Sequence, residues 1–274
     1  KAKPEGKLGE SVMNQNNLKK LTMKKLYIVA SAILIFFELP VLAQTVVGTA
    51  STAAGMGDIA IGESAAASGG FSYANGFLAA ANGTLSTAIG VFANSSNENS
   101  IAVGTSSSAS GLQSISIGAA SVASGDNSTA VGYGSSVTGS GSSAYGQAAS
   151  ASGINAAAIG AASSASAELS TAVGVTAAAS AEKASAFGAG ASASGGNSTA
   201  LGTLSVASGS QATATGYLAS ASGDNATADG HLATASGYFS TAIGTTATAA
   251  GDLSTAVGAS SSATAEAASA FGHY

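Results

Sequence analysis

Glycine recurs at positions 48, 62, 76, 90, 104, 118, 132, 146, 160, 174, 188, 202, 216, 230, 244, 258 and 272, a step of fourteen that never slips. Two residues before these glycines stands Ala, from Ala60 to Ala270, with Ser116 the one exception. A second column runs seven residues out of phase, as Gly55, Gly69, Gly83, Asn97, Gly111, Gly125, Gly139, Gly153, Ala167, Ala181, Gly195, Gly209, Gly223, Gly237, Gly251 and Ala265. A fold built on this sequence must return every fourteenth residue to the same environment. Each unit is two seven-residue halves, one like STAVG and the other like AxASG.

Few architectures meet that condition. Coiled-coil heptads need large apolar a and d residues and exclude recurrent Gly, so helix is rejected. A collagen helix needs Gly at every third residue and abundant Pro, and no Pro follows Pro40. Silk-like or linker drift would not hold seventeen glycines in phase. The period fits a β-solenoid, with one short strand and one turn per half-unit and glycine supplying positive φ or close backbone approach at the corners. Sixteen coils about 4.8 Å apart would make a rod on the order of 75 Å long. Composition agrees: 25.5 kDa over 274 residues is about 93 Da per residue, well below an ordinary chain. Charged residues are 8% and mean hydropathy is +0.35, which argues against solvated disorder.

Alternation along a strand assigns faces. The Ala column barely varies and is expected to line an interior too thin for more than a methyl group. The column one residue on carries Ile61, Ile89, Val103, Ile117, Val131, Ile159, Val173, Phe187, Leu201, Ile243, Val257 and Phe271, with Tyr145 and the polar Asn75, Thr215 and Asp229 between them. Facing outward, these residues make a long apolar stripe that a lone soluble chain would not leave wet. They are the predicted oligomer interface, on the axis of a cyclic homo-oligomer.

The first residues are of another kind. Lys24 and Lys25 precede the apolar run Leu26 to Phe37, too short to span a bilayer, and Val41 and Ala43 satisfy the small-residue rule before a cleavage site. Residues 23–43 therefore read as a signal peptide cut after Ala43, and residues 1–22 as an upstream extension or leader artefact. Residues 44–274 are the repeat region. From Gln44 on, ten acids face the single cation Lys183, which excludes nucleic acid and anionic membrane surfaces as partners. With no Cys in the chain, a disulfide scaffold, a thiolate metal site and a cysteine nucleophile are excluded together.

The units NSIAVGTSS (Asn99 to Ser107), NSTAVGYGS (Asn127 to Ser135) and NSTALGTLS (Asn197 to Ser205) resemble the head repeats of YadA-like trimeric autotransporter adhesins, with motif NSVAIGxxS. The resemblance covers roughly residues 46 to 274. It implies a left-handed parallel β-roll assembled as a homotrimer, which would cover the outward stripe. It also implies a head secreted across the inner membrane to the cell surface or outer membrane of a Gram-negative bacterium, acting in adhesion and virulence by binding an extracellular matrix protein such as collagen. Carried over by motif position, the ligand-binding candidates are Asn99, Ser100, Ser107, Asn127, Ser128, Ser135, Asn197, Ser198 and Ser205. These same residues are scaffold of the repeat, and that role is the favoured one. The family's stalk and membrane β-barrel do not follow here: repeats run to Tyr274. The expectation is truncation before the anchor or release, with membrane attachment only through that missing part. The head is also acidic, where ligand surfaces in the family are often basic or mixed.

No catalytic, metal or cofactor site is expected. His231 and His273 are the only imidazoles and read as solvated residues at a turn and at the chain end, the acids read as scattered turn positions, and Asp126 and Asp224 suit Asx-type turns. Two alternatives remain. Thr199, Thr213, Thr227, Thr241 and Thr255 form one column and could order water as in ice-binding solenoids, although Thr213 and Thr215 make the only two-wide row. A trimeric phage or appendage fibre shares the rod geometry.

Overall fold

The computed structural model describes residues 44–273; the leader and cleavage site expected over residues 1–43 lie outside the described residues, as does Tyr274. Strands alternate between three and two residues, from β1 (Thr45–Val47) to β33 (Ser269–Phe271). The three-residue strands form one seventeen-stranded sheet and the two-residue strands a sixteen-stranded one. Pairing is parallel and always one period apart, as in Ile101↔Ile115, Ser116↔Ala130 and Ala109↔Ala123. The described residues thus form an all-β parallel solenoid of about sixteen fourteen-residue coils, as the period predicts.

The two glycine columns do different things. All seventeen glycines of the first have φ between +113° and +145°, a region closed to side chains with a Cβ. The second column is not in that region, although in both columns a Cβ would run into the next coil's carbonyl, as at Gly202 against Gly216 and at Gly223 against Gly237. Two residues past each column lies a further feature that the glycine spacing does not reveal. Every corner there holds a left-handed residue with φ between +52° and +71°, and twenty-eight of these are not glycine. The cost of roughly 1 kcal/mol apiece is offset by hydrogen bonds to the coil before, such as Ser106 N–H to Val91 O at 2.8 Å and Asn99 N–H to Thr84 O at 2.9 Å.

Between the sheets lie four columns of small side chains. The Ala column is wholly buried from Ala60 to Ala256, and the largest side chains that join the interior are Val137 and Asp58. Asp58 is tolerated because it accepts the Ser72 N–H and hydroxyl, both at 2.8 Å, and the Gly55 N–H. The alanine core is not continuous. One cluster ends at Ala93 and the next begins at Ala123, and between them the interior is lined largely by Ser95, Ser100, Ser107, Ser114, Ser116 and Ser121. Here the exception in the Ala column is explained: Ser116 Oγ sits 2.7 Å from Ser121 Oγ across the interior.

That pair makes a prediction. Ser121→Ala should cost about 1–2 kcal/mol in denaturant unfolding, because it leaves the Ser116 hydroxyl buried and alone. Ser116→Ala should be nearly neutral, since Ser121 keeps its bond to the Gly118 carbonyl at 2.8 Å. The double variant should recover most of the loss; additive losses would refute the pairing.

Candidate functional site

The coil lays its columns out as distinct longitudinal surfaces. The outer face of the three-residue-strand sheet carries the apolar stripe, each member stacked on its counterpart one coil away, as in Phe187↔Leu201 and Ile243↔Val257. Ile61, Val103, Val131, Val173 and Val257 are half-buried by their neighbours, whereas Ile89, Ile117, Ile159, Phe187, Leu201, Ile243 and Phe271 are exposed. The five-threonine column lies on this same face, beside Leu201, Ile243 and Val257, so hydroxyls and large apolar side chains share it.

At the corner that follows, the surface stays largely apolar. Phe77 and Phe92 meet edge to face at 5.6 Å, with Leu78 and Val91 exposed beside them. Further along, His231 stacks on Tyr217 at 5.4 Å and is solvent-exposed, as the sequence suggests for a turn histidine.

Of the other two surfaces one is polar and one is mixed, the second corner interleaving its charged residues with exposed apolar side chains such as Phe71, Leu85, Ile154, Leu169, Phe239 and Leu253. The outer face of the two-residue-strand sheet is small and largely hydroxylic, with rows such as Ser150 and Ser152, Ser164 and Ser166, Ser192 and Ser194, and Ser220 and Ser222. At the second corner the acids gather. Glu98, Asp126, Glu168, Glu182, Asp224, Asp252 and Glu266 all occupy one exposed column, so the scattered placement expected from sequence is corrected: seven of the ten acids line one edge. Their positions differ by whole multiples of fourteen, a signal present in the sequence. The Asx-turn expectation is also corrected. Asp126 Oδ1 accepts the Leu112 N–H and Asp224 Oδ1 the Ser210 N–H, both at 2.8 Å, so each carboxylate ties its coil to the one before instead of closing its own turn. Asp252 does the same for Tyr238 at 2.9 Å.

Lys183 lies at this edge and donates to Glu182 at 2.8 Å; that hydrogen bond, and then the charge behind it, hold the Glu182 carboxyl below its ordinary range. Among the described residues no three or more His, Cys, Asp or Glu side chains come together as a metal would need.

The nine motif residues fall into two groups. Ser100, Ser107, Ser128, Ser135, Ser198 and Ser205 are wholly buried. Four of these hydroxyls bond a corner carbonyl: Ser107 to Gly104 at 2.9 Å, Ser135 to Gly132 at 3.0 Å, Ser205 to Gly202 at 2.8 Å and Ser100 to Asn97 at 2.6 Å. The Ser128 and Ser198 hydroxyls have no hydrogen-bond partner among the described residues. Asn99, Asn127 and Asn197 are left-handed corner residues, with φ of 53°, 54° and 56°, and reach the surface beside the acidic column. Asn is among the residues that enter this conformation most readily, and Asn155 and Asn225 in the same column make five; that enrichment was the available sign of the corner geometry.

A family model described as the YadA head domain repeat (two copies) matches residues 81–107, 109–135, 165–191, 193–219, 221–247 and 249–274, more than half of the chain. Most of these stretches are 27 residues, close to two coils. No curated protein sequence matches the chain.

Proposed function

We propose that this chain, which belongs to the YadA head-repeat family, is the exported head of a homotrimeric surface adhesin whose three rods meet through the apolar face of the three-residue-strand sheet. The observation that carries the reading is the opposition of surfaces. Apolar side chains such as Ile159, Phe187 and Leu201 crowd one face, while seven acids occupy the second corner. Packing the stripe inward removes it from water and leaves the hydroxyl face and acidic edge outside. Like charges on three chains repel least when these edges point away from one another. Residues 23–43 serve as the export signal in this account, and the head stands at the surface of a Gram-negative bacterium.

The adhesive contact then belongs to the outward surfaces. Of the nine motif residues, Asn99, Asn127 and Asn197 are the ones a ligand could touch, next to Glu98, Asp126 and Gly196. A matrix protein bearing basic side chains complements this edge, and collagen is the candidate to test.

Binding of the purified protein to collagen-coated surfaces should weaken as ionic strength rises through physiological values, where the Debye length falls to about 8 Å. Replacing Glu98, Glu168 and Glu182 with Gln should reduce it about tenfold or more. A pair of changes within the stripe, Phe187→Asp with Leu201→Asp, should split the assembly and lose about a hundredfold in avidity. Absence of binding to collagen and to other matrix proteins by the intact assembly would overturn the matrix-adhesin reading.

A further inference from the structure

A rod that repeats every fourteen residues has a problem of register. Each coil presents nearly the same face, so chains packed side by side can slide by one coil, about 4.8 Å, and meet almost the same contacts. Nothing in the Ala columns or in a uniform Ile and Val stripe resists that slip.

The outward face of the three-residue-strand sheet has one interruption of a distinct kind. Over two successive coils its outward positions are Thr213 with Thr215 and Thr227 with Asp229, bounded by Leu201 before and Ile243 after. Asp229 is the only charged residue in either outward column of this sheet, and it is exposed in the single chain. The Asp229 carboxylate makes no hydrogen bond to another described residue that would hold it back in its own coil. It is a costly residue to place on a face that assembly buries.

We infer that Asp229, with the threonines around it, fixes the axial register of the assembled rods. The inference rests on assembly through this face, as proposed above. When the chains are level, all the polar windows coincide, and the carboxylates share one layer with the hydroxyls of Thr213, Thr215 and Thr227 and with water. A slip of one coil brings the Asp229 of one chain level with the Ile243 of its neighbour, and a slip of two coils brings it level with Val257. Any slip thus sets an ionised group against apolar side chains, and no neighbouring cation can neutralise it: the lone Lys183 of the repeat region lies at the acidic corner. A single polar residue in an apolar seam selects register in the same way in coiled coils, at some expense in stability.

The absence of cysteine makes a clean test possible. Chains carrying Thr241→Cys and chains carrying Thr255→Cys, which are level with each other only after a one-coil slip, are refolded together and oxidised. The mass in solution is measured first. Like-with-like disulfides should dominate with Asp229 present, and mixed disulfides should rise tenfold or more when Asp229→Val is added to both chains. The thermal midpoint of the assembly should rise with Asp229→Val, and Asp229→Asn, which keeps a polar group in the window, should hold mixed products near the starting level. A trimer whose mixed fraction is unchanged by Asp229→Val would overturn the register role and leave the assembly standing. A monomeric mass would instead remove the assembly on which the role depends.

Discussion

Ala200→Leu is expected to unfold the middle of the rod while leaving its beginning intact. Ala200 has no exposed surface and is stacked between Ala186 and Ala214 in register. The interior columns of its own coil hold only Ser198, Ser205 and Ala207, all wholly buried. Leucine adds three carbon atoms where the two sheets already touch, and neither sheet can retreat without breaking its ladder. Overpacking a well-filled core costs about 1–3 kcal/mol, and a roll this thin should sit at or beyond the upper end. Because each coil contacts only its neighbours, the damage should stay local. Amide exchange should accelerate about a hundredfold or more in the strands Ser185–Phe187, Thr199–Leu201 and Thr213–Thr215, with Thr87–Ile89 unchanged. Uniform acceleration along the rod would mean that the coils do not behave as a nearest-neighbour stack.

The second large effect separates the two glycine columns. Gly202 has φ of +139°, and a Cβ there would lie 2.5 Å from the carbonyl oxygen of Gly216. Conformation and contact both oppose a side chain, so Gly202→Ala should cost on the order of 3–4 kcal/mol. Gly209 lies seven residues on, in a column that already accepts Asn97, Ala167, Ala181 and Ala265. A Cβ there would press on the Gly223 carbonyl even more closely than the contact at Gly202. Its φ, however, lies outside the left-handed range and the Asn and Ala residues of this column are accommodated by the backbone, so Gly209→Ala should cost about 1–2 kcal/mol. Thermal or denaturant unfolding of the two variants compares them directly. Equal losses would show that crowding alone, and not φ, keeps the first column pure glycine.

Much of the fold is legible in the sequence because the period never slips: each column is one physical address, repeated about sixteen times. The near-invariance of the column from Ala60 to Ala256, broken only by the small Ser116, reports the thin interior, and the freedom of Ile89, Phe187 and Tyr145 one residue later reports the outer face. The corners are less readable. Leu85, Asn99, Lys183 and Phe239 all adopt the left-handed conformation in one column, so residue type hardly marks it; the backbone bonds to the preceding coil impose it. The serine-lined stretch between Ala93 and Ala123 was hidden by the near equivalence of Ala and Ser in size. Ser100 and Ser107 belong to the family motif, yet the structure turns their hydroxyls inward to corner carbonyls, which a motif alone does not say. The acidic edge needed only the seven acids to be laid out modulo fourteen.

In the proposed assembly the apolar face of the rod is covered by copies of the same chain. Light scattering of the purified protein measures this most directly, because it gives the mass in solution without reference to shape. Three times the mass of one chain is the result expected, falling to a single chain for Phe187→Asp with Leu201→Asp. A single-chain mass for the unaltered protein at micromolar concentration would contradict the account, since Ile159, Leu201 and Ile243 would then have to stand in water along the whole rod.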